Sequence, residues 1–294
     1  MISMMLALCL LPWQRASAGT ETTADSAGVR QRYFQSYVGS YQPILRDYAT
    51  SPLFYNGSGL SMGIGWLKRY PKQERSFLVQ ISGAMTNAAV PESNFLEASA
   101  SGYLLQFGMR HQRLWTIKKL NTGPFVLKAG GAFFSDQNIR VNPSLQNNAG
   151  GFENITNLMV AGQISMDISR KSERTIDLFV VKRSLRPVQR HLRLLMNVGV
   201  FNFNFRPGYS YTYESELTGK TVSLLWIFSN YKWSMNGYRL HTELEYFRQA
   251  SSGNAYSWSY VWDAAHVPGR YEAIQLASHQ IKYTLYFRTR KDRP

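Results

Sequence analysis

The sequence predicts an all-β fold: an antiparallel, up-and-down transmembrane β-barrel of about ten strands. Three observations carry that expectation. Apolar residues recur with period two down most of the chain, the residues between them are mainly small or amide-bearing, and the intervals between such segments alternate between short and long. Composition agrees. With 18 Tyr, 16 Phe and 7 Trp among 294 residues and only 17% charged residues, the chain has apolar surface that a disordered segment lacks. Its one cysteine, Cys9, can neither close an internal disulfide nor supply a cysteine-rich zinc site. The 33 Lys and Arg against 18 Asp and Glu give a formal charge of +15, and only their positions can say which partner that charge serves.

Taken in order, residues 1–18 read as a secretory signal peptide: an apolar run from Met4 to Leu11, then Pro12, then Ala16-Ser17-Ala18 before Gly19. Residues 19–50 form an N-terminal segment, either a first strand or a partial plug of the lumen, and 51–294 form the barrel. The first strong strand sets Leu60, Met62, Ile64 and Trp66 against Gly59, Ser61, Gly63 and Gly65. Phe77, Val79, Ile81 and Met85 then alternate with Ser76, Gln80, Ser82 and Ala84, and Tyr103, Leu105, Phe107 and Met109 with Gly102, Gln106, Gly108 and Arg110. Phe125, Leu127, Ala129 and Phe133 oppose Lys128 and Gly130; Leu158, Val160, Ile164, Met166 and Ile168 oppose Gln163, Ser165 and Asp167. Weaker repeats follow at 192–205, 220–230, 238–249 and 272–289. A soluble sheet needs a hydrated outer face rich in Lys, Glu and Thr, whereas a face of Gly, Ser, Ala, Gln and Asn suits a crowded lumen with the apolar face on lipid.

The gaps run short at 67–75, long at 86–100, short at 114–122, long at 135–156, intermediate at 169–191, long at 206–219, short at 231–237 and long at 250–271. Short turns belong to the periplasm and long loops to the exterior. Nine strands plus an upward crossing within Tyr33 to Tyr55 give ten; Thr175 to Arg183 with Ala255 to Asp263 would make twelve. Basic residues gather on the short-turn side, among them Lys68, Arg69, Lys72, Arg75, Arg113, Lys118, Arg170 and Lys232. Without a helix-turn-helix, RNP-like or zinc pattern, they point to outer-membrane lipid headgroups and a periplasmic partner, with no nucleic acid.

Ser51-Pro52-Leu53-Phe54-Tyr55-Asn56-Gly57, Gly150-Gly151-Phe152-Glu153 and Asn202-Phe203-Asn204-Phe205-Arg206-Pro207-Gly208-Tyr209 resemble segments of outer-membrane β-barrel proteins of the Bacteroidota, a group largely without assigned activity. The resemblance implies location in the bacterial outer membrane and barrel architecture, and no substrate.

One constellation carries chemistry. His241, Glu243 and Glu245 share a strand face, which puts an imidazole and two carboxylates in the lumen, with Arg110, Lys128 and Arg193 as inward cations able to pair with them. Metal binding or acid–base work is conceivable for that set, but a lumen-facing ion network is the simpler expectation. His111, His191, His266 and His279 sit in no nucleophile motif, and Gly130-Gly131 and Gly150-Gly151 lack the Lys-Ser/Thr of a phosphate loop. The expectation is therefore no enzyme, no cofactor and no metal. A small-solute channel or envelope binding protein comes first, a docking component of an envelope complex second and an outer-membrane hydrolase third.

Overall fold

Alternation builds the wall. The computed structural model describes residues 30–89, 99–121, 123–178, 181–185, 187–207, 229, 231–268 and 272–289, with backbone alone at 146–148, 207 and the described part of 174–186. In chain order the strands are β1 (Gln31–Asp47), β2 (Ser51–Arg69), β3 (Gln73–Ala89), β4 (Ser99–Thr116), β5 (Phe125–Val141), β6 (Gly150–Asp167), β7 (Arg174–Leu178), β8 (Val181–Leu185), β9 (Arg190–Pro207), β10 (Tyr231–Ser234), β11 (Tyr238–Gln249), β12 (Ala255–Val267) and β13 (Ile274–Arg288). Ten of them close a ring. Consecutive strands from β1 to β6 pair antiparallel, β6 pairs with β9, β9 with β11, β11 with β12 and β12 with β13, and β13 returns to β1. Closure gives each of the ten ring strands a partner on both sides, the condition that hydrocarbon imposes on a sheet. No helix among the described residues is long and apolar enough to cross a membrane.

Residues 30 and 289 lie at one end, with the connections 70–72, 117–124, 168–189 and 250–254; this is called the terminal end here, and the opposite one the loop end. Along β2, Leu60, Met62, Ile64 and Trp66 are 63, 53, 51 and 49% exposed, while Ser61 between them is 0%. Apolar residues therefore face out and small or polar ones face in. Gly63 on β2 makes room for a large lumen side chain: a Cβ there would run into the ring of Tyr37, whose hydroxyl bonds to Ser61 and Gln80 at 3.0 and 3.1 Å.

β9 departs from strict alternation. Its register against β6 shifts between Leu158 and Met159, and Val200 and Phe201 both face outward, so the inward set changes from odd to even numbers. This puts Asn202, Asn204 and Arg206 in the lumen. Asn202 and Asn204 donate to the carbonyls of Gly237 and Asn236, both at 2.8 Å, and hold the break between β10 and β11, where Gly237 takes φ 102°. Phe205 turns outward onto Tyr231 and Trp233, with ring centroids 4.9 and 4.8 Å away.

The upward crossing expected within Tyr33 to Tyr55 is β1, and the chain then reverses at 48–50, where Thr50 N–H bonds to the Asp47 carbonyl at 3.1 Å and Ala49 N–H to its carboxylate at 3.3 Å. Residues 31–47 are thus wall and not plug. The segment 220–230 lies outside the described residues apart from Ser229, and the ring closes without it. The interval 250–271, a loop in the ten-strand count but holding a strand from Ala255 to Asp263 in the twelve-strand alternative, contains β12, where Tyr256, Trp258, Tyr260 and Trp262 alternate with Ala255, Ser257, Ser259 and Val261. Residues 231–237 consequently belong to the loop end, and Lys232 leaves the basic short-turn group. Finally, the segment Thr175 to Arg183 adds no barrel strand, because β7 and β8 pair only with each other.

Candidate functional site

Three groups of charged side chains cross the lumen, two of them holding as many carboxylates as cations and the third, with Arg69, one cation more. Near the loop end Arg140 on β5 reaches Asp47 on β1 at 2.7 Å and donates through Nε to Glu153 at 2.9 Å, and Arg206 on β9 reaches Asp47 at 3.3 Å. Arg206 also donates to the carbonyls of Val267 and Glu272 at 2.8 and 3.1 Å. In the middle Arg239 on β11 pairs with Asp136 on β5 and with Asp263 on β12, the latter at 2.8 Å, and donates to Asn157 at 3.0 Å. Arg110 on β4 spans the full width to Asp263 at 3.4 Å, since β4 and β12 stand five places apart in the ring of ten. Towards the terminal end Glu74 on β3 pairs with Lys128 and, at 2.8 Å, with Arg193 on β9; Arg193 pairs with Glu245 at 2.5 Å, and Lys282 with Glu243 at 2.9 Å.

Matching is what burial demands, because a charge removed from water without a partner costs several kcal/mol. It also fills the interior, as expected of a barrel of this strand number. The space left among Tyr37, Arg110, His241, Glu243 and Lys282 is about 80 Å³, and that beside Tyr41, Arg239 and Asp263 about 30 Å³.

His241, Glu243, Glu245, Arg110, Lys128 and Arg193 all stand on the lumen side, but not as one cluster. Arg110 meets His241 and Asp263 and neither of the glutamates; Lys128 meets Glu74; only Arg193 joins Glu245. His241 Nε2 lies 2.8 Å from Arg110 Nη1, and a guanidinium only donates, so Nε2 is the acceptor and its lone pair is engaged. The other ring nitrogen is 3.0 Å from the Asn197 amide. Sequence reasoning missed Asp47, Glu74, Asp136, Glu153, Arg140, Arg206, Arg239 and Asp263. The usable signal was strand parity carried to the strand ends: Glu74 shares a face with Ser76 and Gln80, and Arg239 with His241.

A larger concavity opens at the terminal end. This vestibule of about 760 Å³ is lined by Arg69, Arg170, Lys171 and Arg288, with Asp167 as its carboxylate and Phe247 at its floor. Arg69 lies over the Phe247 ring at 4.5 Å, and Asp167 accepts from Ser169 N–H at 2.9 Å. The backbones of Arg170 and Val188 pair at 3.0 and 3.1 Å, which draws the two sides of the 168–189 connection together at the mouth.

Fold and site together define a closed membrane β-barrel with an ion-paired interior. No protein-family model matches the chain, and no curated protein matches it. Among solved structures it is similar to Ail, the attachment invasion locus protein of Yersinia pestis, at 8% identity and TM-score 0.29, over 87% of this chain and 99% of that one. It is also similar to the translocator domain of the autotransporter NalP from Neisseria meningitidis, at 10% identity and TM-score 0.34, over 90% of each chain. A third is the Pseudomonas putida toluene transporter TodX, at 6% identity and TM-score 0.29, over 87% of this chain and 89% of that one. The fold assignment rests on the closed strand pairing, and these likenesses assign no activity.

Proposed function

We propose that the protein resides in the outer membrane of a Gram-negative envelope as a binding protein with a shut lumen, and that it engages acidic partners or solutes at the basic vestibule of its periplasmic end. The observation that carries this reading is the span from Arg110 to Asp263 with Arg239 and Asp136 beside it, which occupies the cross-section that a diffusing solute would need. Of the two first-ranked sequence readings, binding protein and small-solute channel, it favours the first. The short-turn rule puts the terminal end in the periplasm, where the vestibule and the basic turns would face a partner. No catalysis is assigned to His241, Glu243 and Glu245: the imidazole acceptor is already used by Arg110, and each glutamate holds a cation. Export by residues 1–18 belongs to the same reading, with Gly19 as the first residue of the mature chain.

Planar-bilayer recording tests the closed lumen. The refolded barrel is expected to show no sustained conductance, and the Arg110→Ala/Asp263→Ala double variant, which removes a cross-lumen pair without leaving an odd charge between the two, is expected to show steps. Sustained current through the unaltered protein would overturn the reading in favour of a channel.

A further inference from the structure

The register of the first four strands sets four cations side by side on the outer surface. Arg32 on β1 lies directly opposite Lys68 on β2, Lys68 opposite Arg75 on β3, and Arg75 opposite Arg113 on β4. All four occupy the outward parity near the terminal end, and Lys68, Arg75 and Arg113 are exposed. Adjacent strands stand about 4.8 Å apart, so four positive charges fall within a strip of roughly 15 Å. Like charges placed directly opposite in a sheet destabilise it. The nearest carboxylate in sequence, Glu74, points the other way and is engaged by Lys128, Arg193 and Arg69. Among the described residues no ion pair reaches any of the four; Arg113 lies over the Trp115 ring at 4.8 Å.

The rows above this strip supply the second observation. Two residues towards the membrane centre, register places Phe34, Trp66, Phe77 and His111 in line, with Phe34–Trp66 and Trp66–Phe77 ring centroids 6.1 and 6.0 Å apart. The next row is Ser36, Ile64, Val79 and Met109. From the rim inward the wall thus reads cation, aromatic, aliphatic, which is the order of phosphate, glycerol-ester zone and acyl chain in one leaflet. The strip is also bounded on both sides: Arg113 lies opposite Gly131 on β5, and beside Arg32 the chain of β13 continues into Thr289, whose N–H bonds to the Arg32 carbonyl.

We propose that Arg32, Lys68, Arg75 and Arg113 form a docking site for the phosphates of anionic phospholipid in the leaflet at the terminal end, with Trp66 and Phe77 seating the glycerol region. The phosphates supply the negative charge that the strip lacks, and they come from the bilayer because the aromatic and aliphatic rows continue directly from the cations. This site is separate from the vestibule, which opens on the lumen side.

Native mass spectrometry of the refolded barrel, released from mixed phosphatidylglycerol and phosphatidylcholine, tests it. The unaltered protein is expected to retain phosphatidylglycerol preferentially, and the Arg75→Ala/Arg113→Ala variant to lose about fivefold in retention for each cation removed. The Arg46→Ala/Lys232→Ala variant loses the same charge at the loop end and is expected to keep the preference. Heat-dependent gel migration confirms that each variant is folded. Equal retention of the two lipids by the unaltered protein, or equal loss in both variants, would overturn the proposal.

Discussion

The two ends of the barrel handle positive charge in opposite ways. At the loop end the lumen cations Arg140 and Arg206 are answered by Asp47 and Glu153, inside the wall and within hydrogen-bond reach. At the terminal end Arg32, Lys68, Arg75 and Arg113 stand outside the wall with no ion pair to them among the described residues. The difference teaches how the cations divide. Among the described residues the lumen ion groups nearly cancel, and cations without a carboxylate stand at the rims, above all at the terminal one. Interior cations are part of the folding problem, and rim cations are part of the partner problem.

Substitutions break this comparison most sharply at the paired end. Arg140→Ala leaves Asp47 and Glu153 buried without their shared cation and is expected to cost about 3–5 kcal/mol, read as a lowered urea midpoint for the folded barrel in phosphatidylcholine vesicles. Next comes the facing of the wall. Ile64→Arg, on lipid near the middle, is expected to cost about 2–4 kcal/mol; an unchanged midpoint would show that Ile64 is not in hydrocarbon. Cysteines at 64 and 105 should react with lipid-phase probes and those at 63 and 106 should not. Glu243→Gln strips Lys282 of its carboxylate and is expected to cost about 1–3 kcal/mol, with no hydrolysis of phospholipid or peptide by either protein. If the unaltered barrel hydrolyses either substrate and Glu243→Gln abolishes this with the fold intact, the enzyme reading returns. The smallest effect belongs to the unpaired end: Arg75→Ala should stay within about 0.5 kcal/mol in phosphatidylcholine, and a loss matching that of Arg140→Ala would erase the distinction between the ends.

Much of the wall was legible in the sequence because parity is a local property. Leu60 to Trp66 and Ile281 to Phe287 each state their facing within a few residues, and the structure follows them. Signals failed where the local pattern is broken or borrowed. The reversal at 48–50 uses Asp47 in place of Gly or Pro, so the end of β1 carried no turn signal. The outward pair Val200 and Phe201 blurs the alternation of β9, and β12 was legible only in the twelve-strand alternative. Partner choice in the lumen was not legible at all. Whether Arg110 meets Glu245 or Asp263 depends on which strands stand opposite once ten have closed, a property of the ring and of no single strand. His241 could be placed inward from its neighbours, whereas its bond to Arg110 joins residues 131 apart.

The seam between β1 and β13 governs time as well as shape. It runs in register from Tyr33 opposite Arg288 to Asp47 opposite Ile274, and beyond it Thr289 bonds to the Arg32 carbonyl across 257 residues of chain. Contacts of such separation form late, because nearly the whole chain must be gathered before they return any energy. A nascent polypeptide that has emerged only as far as β12 therefore presents two naked strand margins, each a template for another chain. The cylinder thus stays open until its final strand pairs with its first.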